Sequence, residues 1–391
     1  MMSVRSRRLF FAAVLPLVLI ACSGGGGGSP APAAPAPTAT PVPSGSPGAS
    51  VSPSATPHAT ATPTASPTAT PTATPSPAPT ANPAVVCQQA QAATTPGISP
   101  TTTTAFLATV RSARSICMSA YVFTTVAFQA LDAAAKSHAS VVVVFPQEQD
   151  SGSNASDLAQ LQADGATIVI DPGTGSTNPI HAKLAVVDGI AYLDGHNWVE
   201  ASGSEPTDDV IIQDTLPADF TAIESALQLD PVSSASGTLD TLKSNSLAME
   251  AGFLSGLNPG AGAQVHFMTE SFSSGASNVV SALETAAQNG AAVNVILVGS
   301  DETGSSDQQL IATMKAPPYN ITFCSNVSTG SEKVLIASTS PGEVWYGSSN
   351  ATSSSSLASN YIDWGMLISD ATTISAIDAY YQAQLQACTP M

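Results

Sequence analysis

The chain has 391 residues and carries 10 lysine and arginine residues against 28 aspartate and glutamate residues. Its formal net charge of −18 argues against non-specific binding to nucleic acid, because that binding depends on basic groups that neutralise phosphates. The same charge argues against adsorption to an anionic bilayer surface.

The first 22 residues have the pattern of an export signal. Three arginines precede an apolar run from Leu9 to Ile20, which is too short to span a bilayer as a mature helix. Cys22 follows Leu-Ile-Ala, and this resembles the lipobox of bacterial lipoproteins, in which the cysteine carries lipid. The alternative is an ordinary secretory signal with an incidental cysteine. We predict a protein exported to the bacterial cell envelope and attached to the membrane only through lipid at Cys22.

Residues 23–85 have the composition of a tether. They contain no lysine, arginine, aspartate or glutamate and are rich in proline, threonine, alanine and serine. Such a stretch cannot bury enough apolar surface to offset the entropy of ordering. We predict a disordered spacer that holds the rest of the chain away from the membrane.

Four cysteines follow the tether, and an oxidising compartment favours two disulfides among them. Three connectivities are possible, and the usual proximity of domain termini favours a pair between Cys87 and Cys388, with Cys117 and Cys324 as the other two. No cysteine spacing resembles a zinc site. We expect no metal and no cofactor.

The pattern of residues 86–391 indicates two copies of one α/β unit. In the first half, a strand at Ile116–Val122 precedes a helix and a buried strand at Val141–Phe145. The same order recurs from Val265–Thr269 to Val293–Val298. The fold prediction is therefore α/β, with tandem repeats over 86–240 and 241–391. Each would have a mostly parallel sheet flanked by helices, and the two would pack about a pseudo-two-fold axis. The alternative is two independent domains with separate sites.

A cluster of polar residues interrupts the first repeat at "IHAKLAVVDGIAYLDGHNW". It contains His181-x-Lys183-x4-Asp188, followed by "DGHN" ending at Asn197. This pattern resembles the phospholipase D superfamily, whose signature is His-x-Lys-x4-Asp followed by Gly-Ser-x-Asn. The match is incomplete, because Asp194 and Gly195 stand where the family has glycine and serine.

The second repeat has a degenerate copy of the motif. Lys333 matches the family's lysine, and "GSSN" ending at Asn350 matches Gly-Ser-x-Asn. However, Ser331 stands in place of the histidine and Ser338 in place of the aspartate. The resemblance implies that Lys333, Asn350, Ser331 and Ser348 contribute to binding the substrate phosphate.

The resemblance also implies a phosphohistidine mechanism. His181 would attack phosphorus, and Lys183 and Asn197 would stabilise the phosphoryl oxygens. Asp188 matches the aspartate that orients a histidine in the family. The family's second histidine protonates the leaving oxygen, and a serine has too high a pKa for that role. His196 is the nearest replacement acid, and the alternative for it is a structural role in the hairpin.

We therefore predict a phospholipase D-like phosphodiesterase, acting by hydrolysis or transfer, with weak or no turnover. The partner would be a small phosphodiester or a lipid headgroup, not nucleic acid. We expect a monomer, because the second repeat already fills the position that single-motif relatives fill by dimerising. The first alternative is a non-catalytic surface lipoprotein that binds phosphate groups. The second is a structural envelope protein with an incidental motif.

Overall fold

Two mixed β-sheets with flanking helices form the part of the chain that the computed structural model describes. The described residues are 87, 89–173, 179–198, 209–298, 305–326, 332–352 and 361–391. The predicted signal with Cys22, the predicted tether and Ser331 lie outside these ranges. All of the described residues belong to one compact unit.

In the described part of the first repeat, a seven-stranded sheet is flanked by four α-helices. The strands are β1 (Ile98–Thr102), β2 (Ser115–Ser119), β3 (Ser140–Pro146), β4 (Thr167–Asp171), β5 (Lys183–Val187), β6 (Ile190–Asp194) and β7 (Val210–Asp214). The helices are α1 (Thr103–Ser112), α2 (Thr125–Lys136), α3 (Gly152–Ala163) and α4 (Pro217–Leu227). The strand order is β1-β7-β6-β5-β2-β3-β4.

The second sheet has eight strands and four helices in the described ranges. The strands are β8 (Leu239–Leu242), β9 (Gln264–Thr269), β10 (Ala292–Val298), β11 (Thr322–Asn326), β12 (Lys333–Ala337), β13 (Val344–Gly347), β14 (Ile362–Ile368) and β15 (Thr389–Pro390). The helices are α5 (Lys243–Leu257), α6 (Ser277–Gln288), α7 (Ser305–Lys315) and α8 (Ala371–Gln386). The strand order is β15-β11-β10-β9-β12-β13-β14-β8.

Both sheets therefore have one topology, apart from the added edge strand β15. This confirms the predicted α/β fold of two tandem repeats. The strand directions differ from the expected mostly parallel arrangement. Only β2-β3-β4 and β9-β10-β11 are parallel, and the other pairs are antiparallel. In the first sheet the cause is local, because β5 and β6 are joined by a two-residue turn that permits only antiparallel pairing.

Local sequence signals set the helix ends. The Thr102 and Thr124 side chains cap α1 and α2 by accepting backbone N–H groups, and Asp370 caps α8 in the same way. Pro217 opens α4, where its missing N–H has no helical partner to lose. Asn258, in the left-handed region, ends α5. None of the described helices combines the length and apolar character needed to cross a bilayer.

One apolar core joins the two repeats. On β5, Leu184 and Val186 belong to this shared core, whereas the alternate residues Ala185 and Val187 pack with the outer helices of their own repeat. Residues from β12 to β14 and from α4 and α8 complete the shared core. Each large apolar side chain buried there contributes about 1.5–3 kcal/mol relative to exposure. The repeats are therefore held together by burial, which brings their motifs to one place.

Two disulfides lie within the repeats, and the expected pairing of the domain ends was wrong. Cys87 pairs with Cys117 of β2, and Cys324 of β11 pairs with Cys388. The pairing follows from strand order, because the C-terminal strand β15 lies beside β11 in the second sheet. Each disulfide therefore fastens one terminal segment to its nearer sheet.

Candidate active site

The backbone of His181 is bound to the opposite repeat. Just before β5, the N–H groups of His181 and Ala182 both donate to the carbonyl oxygen of Ile362, at 2.8 and 2.7 Å. Ile180 forms an isolated parallel bridge with the same residue. The histidine of the first repeat therefore meets the start of β14 in the second.

Asp363, on β14, orients the His181 ring. Its Oδ1 lies 2.8 Å from His181 Nδ1 and also accepts the Ser348 hydroxyl at 2.6 Å. Because an ionised carboxylate only accepts, Nδ1 carries the hydrogen and Nε2 carries the lone pair. Burial lowers the pKa of His181, and Lys183 and Lys333 lower it further against the effect of Asp363. The ring is therefore neutral near pH 7 and presents a nucleophilic nitrogen.

Asp188 does not have the orienting role predicted for it. Its Oδ1 accepts the backbone N–H groups of Arg114 and Ser115, at 3.0 and 2.9 Å. The reason is distance along the strand, because His181 precedes β5 and Asp188 follows it. Seven residues of extended chain span roughly 23 Å. Asp188 instead fastens the turn after β5 to the start of β2.

Ser338 performs the same task in the second repeat. Its hydroxyl accepts the backbone N–H of Gln264, the first residue of β9, at 2.8 Å. The replacement of aspartate by serine in the degenerate motif therefore preserves a turn contact.

Lys183 lies against the His181 ring. Its Nζ is 3.1 Å from Nε2 and 3.4 Å from Nδ1 of His181, and 5.5 Å from the centre of the Tyr121 ring. The Tyr121 ring also packs edge-on against the imidazole, with centroids 4.5 Å apart. Burial lowers the pKa of Lys183 to about 7, and the charge of Lys333 adds to this effect. The two ammonium groups are therefore close enough to act on one another.

Lys333 is fully buried and faces a carboxylate that sequence reasoning missed. Its Nζ lies 3.3 Å from Glu270 Oε2 and 3.4 Å from the carbonyl oxygen of Gly195. The Asn350 side chain donates to the same Glu270 oxygen at 3.4 Å. Burial alone would raise the pKa of Glu270, but the charges of Lys333 and Lys183 lower it to about 2. An ionised carboxylate thus contacts two groups that were expected to bind phosphate.

The remaining predicted residues have different surroundings. Ser348 is fully buried, and its hydroxyl donates a hydrogen bond to Asp363. This hydroxyl therefore supports the carboxylate that orients His181 and does not face a substrate. The amide oxygens of Asn197 and Asn350 are buried without a hydrogen-bond partner among the described residues. His196 Nδ1 lies 2.8 Å from Asp209 Oδ2.

Strand register makes Asp209 the counterpart of Asp363. Lys183 pairs with Asp194 on β6, and Lys333 pairs in the same way with Gly347 on β13. When each register is continued to the next strand, β7 or β14, Asp209 and Asp363 occupy equivalent positions. A sequence signal for them existed, because Asp209 directly precedes β7 and Asp363 is the second residue of the equivalent strand β14. Two acids accompany Asp209, and burial raises the pKa of Asp194 and brings that of Glu332 to about 8, with Asp209 adding to both effects.

Comparison with known proteins connects this geometry to a fold. No family model matches the sequence, and no curated protein matches it. Phosphatidylserine synthase from Haemophilus influenzae superposes with a TM-score of 0.52 at 12% identity, over 75% of this chain and 87% of that one. Polyphosphate kinase from Porphyromonas gingivalis superposes with a TM-score of 0.50 at 16% identity, over 74% of this chain. Both are phospholipase D superfamily members. The chain has a phospholipase D-like fold.

The chain spans about half the length of the polyphosphate kinase, 50% of that chain. The likeness therefore concerns the duplicated unit. Within that unit, the first motif places His181 and Lys183 beside Asp363, and the second contributes Lys333 and Asn350. The arrangement can hold a neutral imidazole and two ammonium groups around one anion.

Proposed function

We propose that this protein acts on phosphodiesters through a covalent phosphohistidine at His181. The observation that carries the proposal is the contact of His181 Nδ1 with buried Asp363 while its Nε2 lies 3.1 Å from the Lys183 ammonium. The carboxylate fixes the tautomer, so the lone pair is on the nitrogen beside the cation. The phospholipase D-like fold supports the same reaction class.

The reaction begins when the phosphodiester binds between Lys183 and Lys333. Lys183 then exchanges its contact with His181 Nε2 for a contact with a phosphoryl oxygen. Nε2 then forms a bond to phosphorus while the bond to the leaving oxygen breaks. Water or a second alcohol later attacks phosphorus and loses its proton to solvent, the P–N bond breaks, and the imidazole is regenerated. Lys183 and Lys333 stabilise the charge that builds on the phosphoryl oxygens in both steps.

Protonation of the leaving oxygen is the slow step of the proposed reaction. Ser331 replaces the histidine that the family uses, so we assign this proton to solvent and expect slow turnover. The acid role of His196 stays a prediction, because no hydrogen bond or ring contact in the described chain joins it to His181. The substrate class is a small phosphodiester or a lipid headgroup.

The test uses the full chain in detergent with bis(p-nitrophenyl) phosphate. His181→Ala should abolish product release and also the acid-labile p-nitrophenylphosphoryl group on the protein detected by mass spectrometry. The matched control is His138→Ala, which removes an exposed histidine after α2. Equal rates in wild type and His181→Ala would remove His181 as the nucleophile.

A second candidate is phosphate binding without turnover. The Glu270 carboxylate already contacts the Lys333 ammonium and the Asn350 amide. A bound phosphate would replace this carboxylate, and this favours a site that exchanges one anion for another. An inert wild-type protein that binds inorganic phosphate, and loses binding in Lys183→Ala and Lys333→Ala, would support this function. A gain of activity in Ser331→His would then identify it as a decayed enzyme.

The cellular location is also part of the proposal. The lipobox-like sequence at Cys22 supports a lipid-anchored envelope protein with its α/β unit on a spacer. Labelled palmitate should be incorporated into the wild type and not into Cys22→Ser. Equal labelling of both would exclude this anchor.

A further inference from the structure

Three carboxyl groups that the proposed reaction does not use lie together around Glu332, which directly precedes Lys333 in the degenerate motif. Oxygen atoms of Asp194, Asp209 and Glu332 lie within 4.8 Å of one another. Their exposed fractions are 0%, 5% and 0%. Burying ionised carboxylates this close is costly unless positive charge or protons accompany them.

Two of the three carboxylates are oriented by hydrogen-bond donors. Asp194 accepts the backbone N–H groups of His196 and Trp198, at 2.9 and 3.3 Å. Asp209 accepts the His196 ring at 2.8 Å and the Thr103 hydroxyl at 3.4 Å. Donors of this kind hold the carboxylate ligands of metal ions in position.

Glu332 and a neighbouring tyrosine supply an independent observation. Neither carboxylate oxygen of Glu332 has a hydrogen-bond partner among the described residues, although the side chain is fully buried. The hydroxyl of Tyr380, on α8 and 2% exposed, faces the Glu332 carboxylate without a close hydrogen bond to it. The charges of Glu332 and Asp209 both act on this hydroxyl. Oxygens from two separate elements, Glu332 and Tyr380, therefore face one another at the cluster without a close hydrogen bond that would satisfy them.

The equivalent positions in the other repeat show that the fold does not require Asp194 and Glu332. By strand register, Asp194 corresponds to Gly347 and Glu332 corresponds to Ala182. Only Asp209 has an acidic counterpart, which is Asp363. The cluster thus has two carboxylates, Asp194 of the first repeat and Glu332 of the second, whose equivalent positions have small residues.

We propose that Asp194, Asp209 and Glu332 bind one divalent cation of the oxygen-preferring class, Ca²⁺, Mg²⁺ or Mn²⁺. Opposite ligands of Ca²⁺ lie up to about 5 Å apart, so the three oxygens can contact one ion. A surface cavity of about 280 Å³, lined in part by Asp209 and Tyr380, provides an entry path. The proposal differs from the sequence-based expectation of no metal, and it does not depend on the proposed reaction.

Thermal unfolding of the full chain after removal of metal by a chelator tests the proposal. At pH 7, at least one of CaCl₂, MgCl₂ and MnCl₂ should raise the Tm saturably, because a cation that binds only the folded state stabilises it. Elemental analysis should then find about one equivalent of that metal per chain. Glu332→Gln should weaken the apparent affinity by about tenfold or more.

The matched control is Glu250→Gln on α5. Glu250 is also buried with both oxygens unpartnered in the described chain, but it lies outside the cluster, so its variant should keep the full cation response. If Glu332→Gln does not fold, Asp194→Asn replaces it, because the asparagine oxygen can still accept one of the two turn N–H groups. No cation response in the wild type would overturn the proposal. An unchanged response in the cluster variant would overturn it as well. A Glu332→Gln variant that is more stable than wild type in chelator, with no cation effect in either, would show that the cluster holds protons instead.

Discussion

Asp363 of the second repeat contacts His181 of the first through a 2.8 Å hydrogen bond between Oδ1 and Nδ1. Asp363→Asn should leave the fold intact but lower the rate of phosphohistidine formation by roughly 10²–10⁴-fold, since the amide no longer fixes the productive tautomer. Rapid-quench trapping of the phosphorylated protein measures this rate.

The comparison variant is Asp188→Ala, at the aspartate that the motif itself supplies. It should change the rate little but lower the free energy of unfolding by about 1–2 kcal/mol, because two backbone N–H groups lose their acceptor. The opposite result, a large rate loss in Asp188→Ala and none in Asp363→Asn, would contradict the assignment of the orienting group.

These two aspartates show what the sequence could and could not predict. The duplicated fold was predictable, because alternating strands and helices recur at a fixed step. The contact between His181 and Lys183 was predictable from their spacing of two residues. The orienting residue was not, because Asp363 is 182 positions from His181 and becomes its neighbour only when the shared core closes. Glu270 was missed for the same reason, since no motif spacing connects it with Lys333.

The pH dependence of the reaction should reflect the buried lysine. Lys183 must be cationic to stabilise a phosphoryl oxygen, and burial lowers its pKa to about 7 in the free protein. The value of kcat/KM should therefore fall as the pH rises through about 7. Its acidic limb should lie below the ordinary histidine pKa of about 6.5, because burial also lowers the pKa of His181.

The control for this profile is Lys183→Arg. A guanidinium keeps its charge across the whole range, so the variant should lose the alkaline fall even if its rate is lower throughout. An alkaline limb that stays near pH 7 in Lys183→Arg would assign it to another group.

Glu270→Gln should strengthen anion binding. The variant removes the negative charge from Lys333 and Asn350, and at about 4 Å such a charge is worth up to about 4 kcal/mol near a protein surface. We expect inorganic phosphate to bind about tenfold more tightly by isothermal titration calorimetry. Without phosphate the Tm should fall, because Lys333 is left buried without its carboxylate partner.

The control for Glu270 is Glu284→Gln on α6, in the outer helix layer of the second repeat. It should leave phosphate affinity unchanged. Weaker phosphate binding in Glu270→Gln would mean that the carboxylate helps to hold the site open for substrate and does not compete with it.

The disulfide between Cys324 and Cys388 should contribute strongly to stability. It fastens the C-terminal strand β15 to β11 across a sequence separation of 64 residues. A closed loop of this size restricts the unfolded chain by up to about 4 kcal/mol in the chain-entropy account, and about 2–4 kcal/mol is the usual range. The Cys324→Ala and Cys388→Ala double variant should lose that amount in urea titration. Adding reductant should destabilise the double variant further, because the disulfide between Cys87 and Cys117 remains. A double variant as stable as the wild type, and insensitive to reductant, would contradict both pairings.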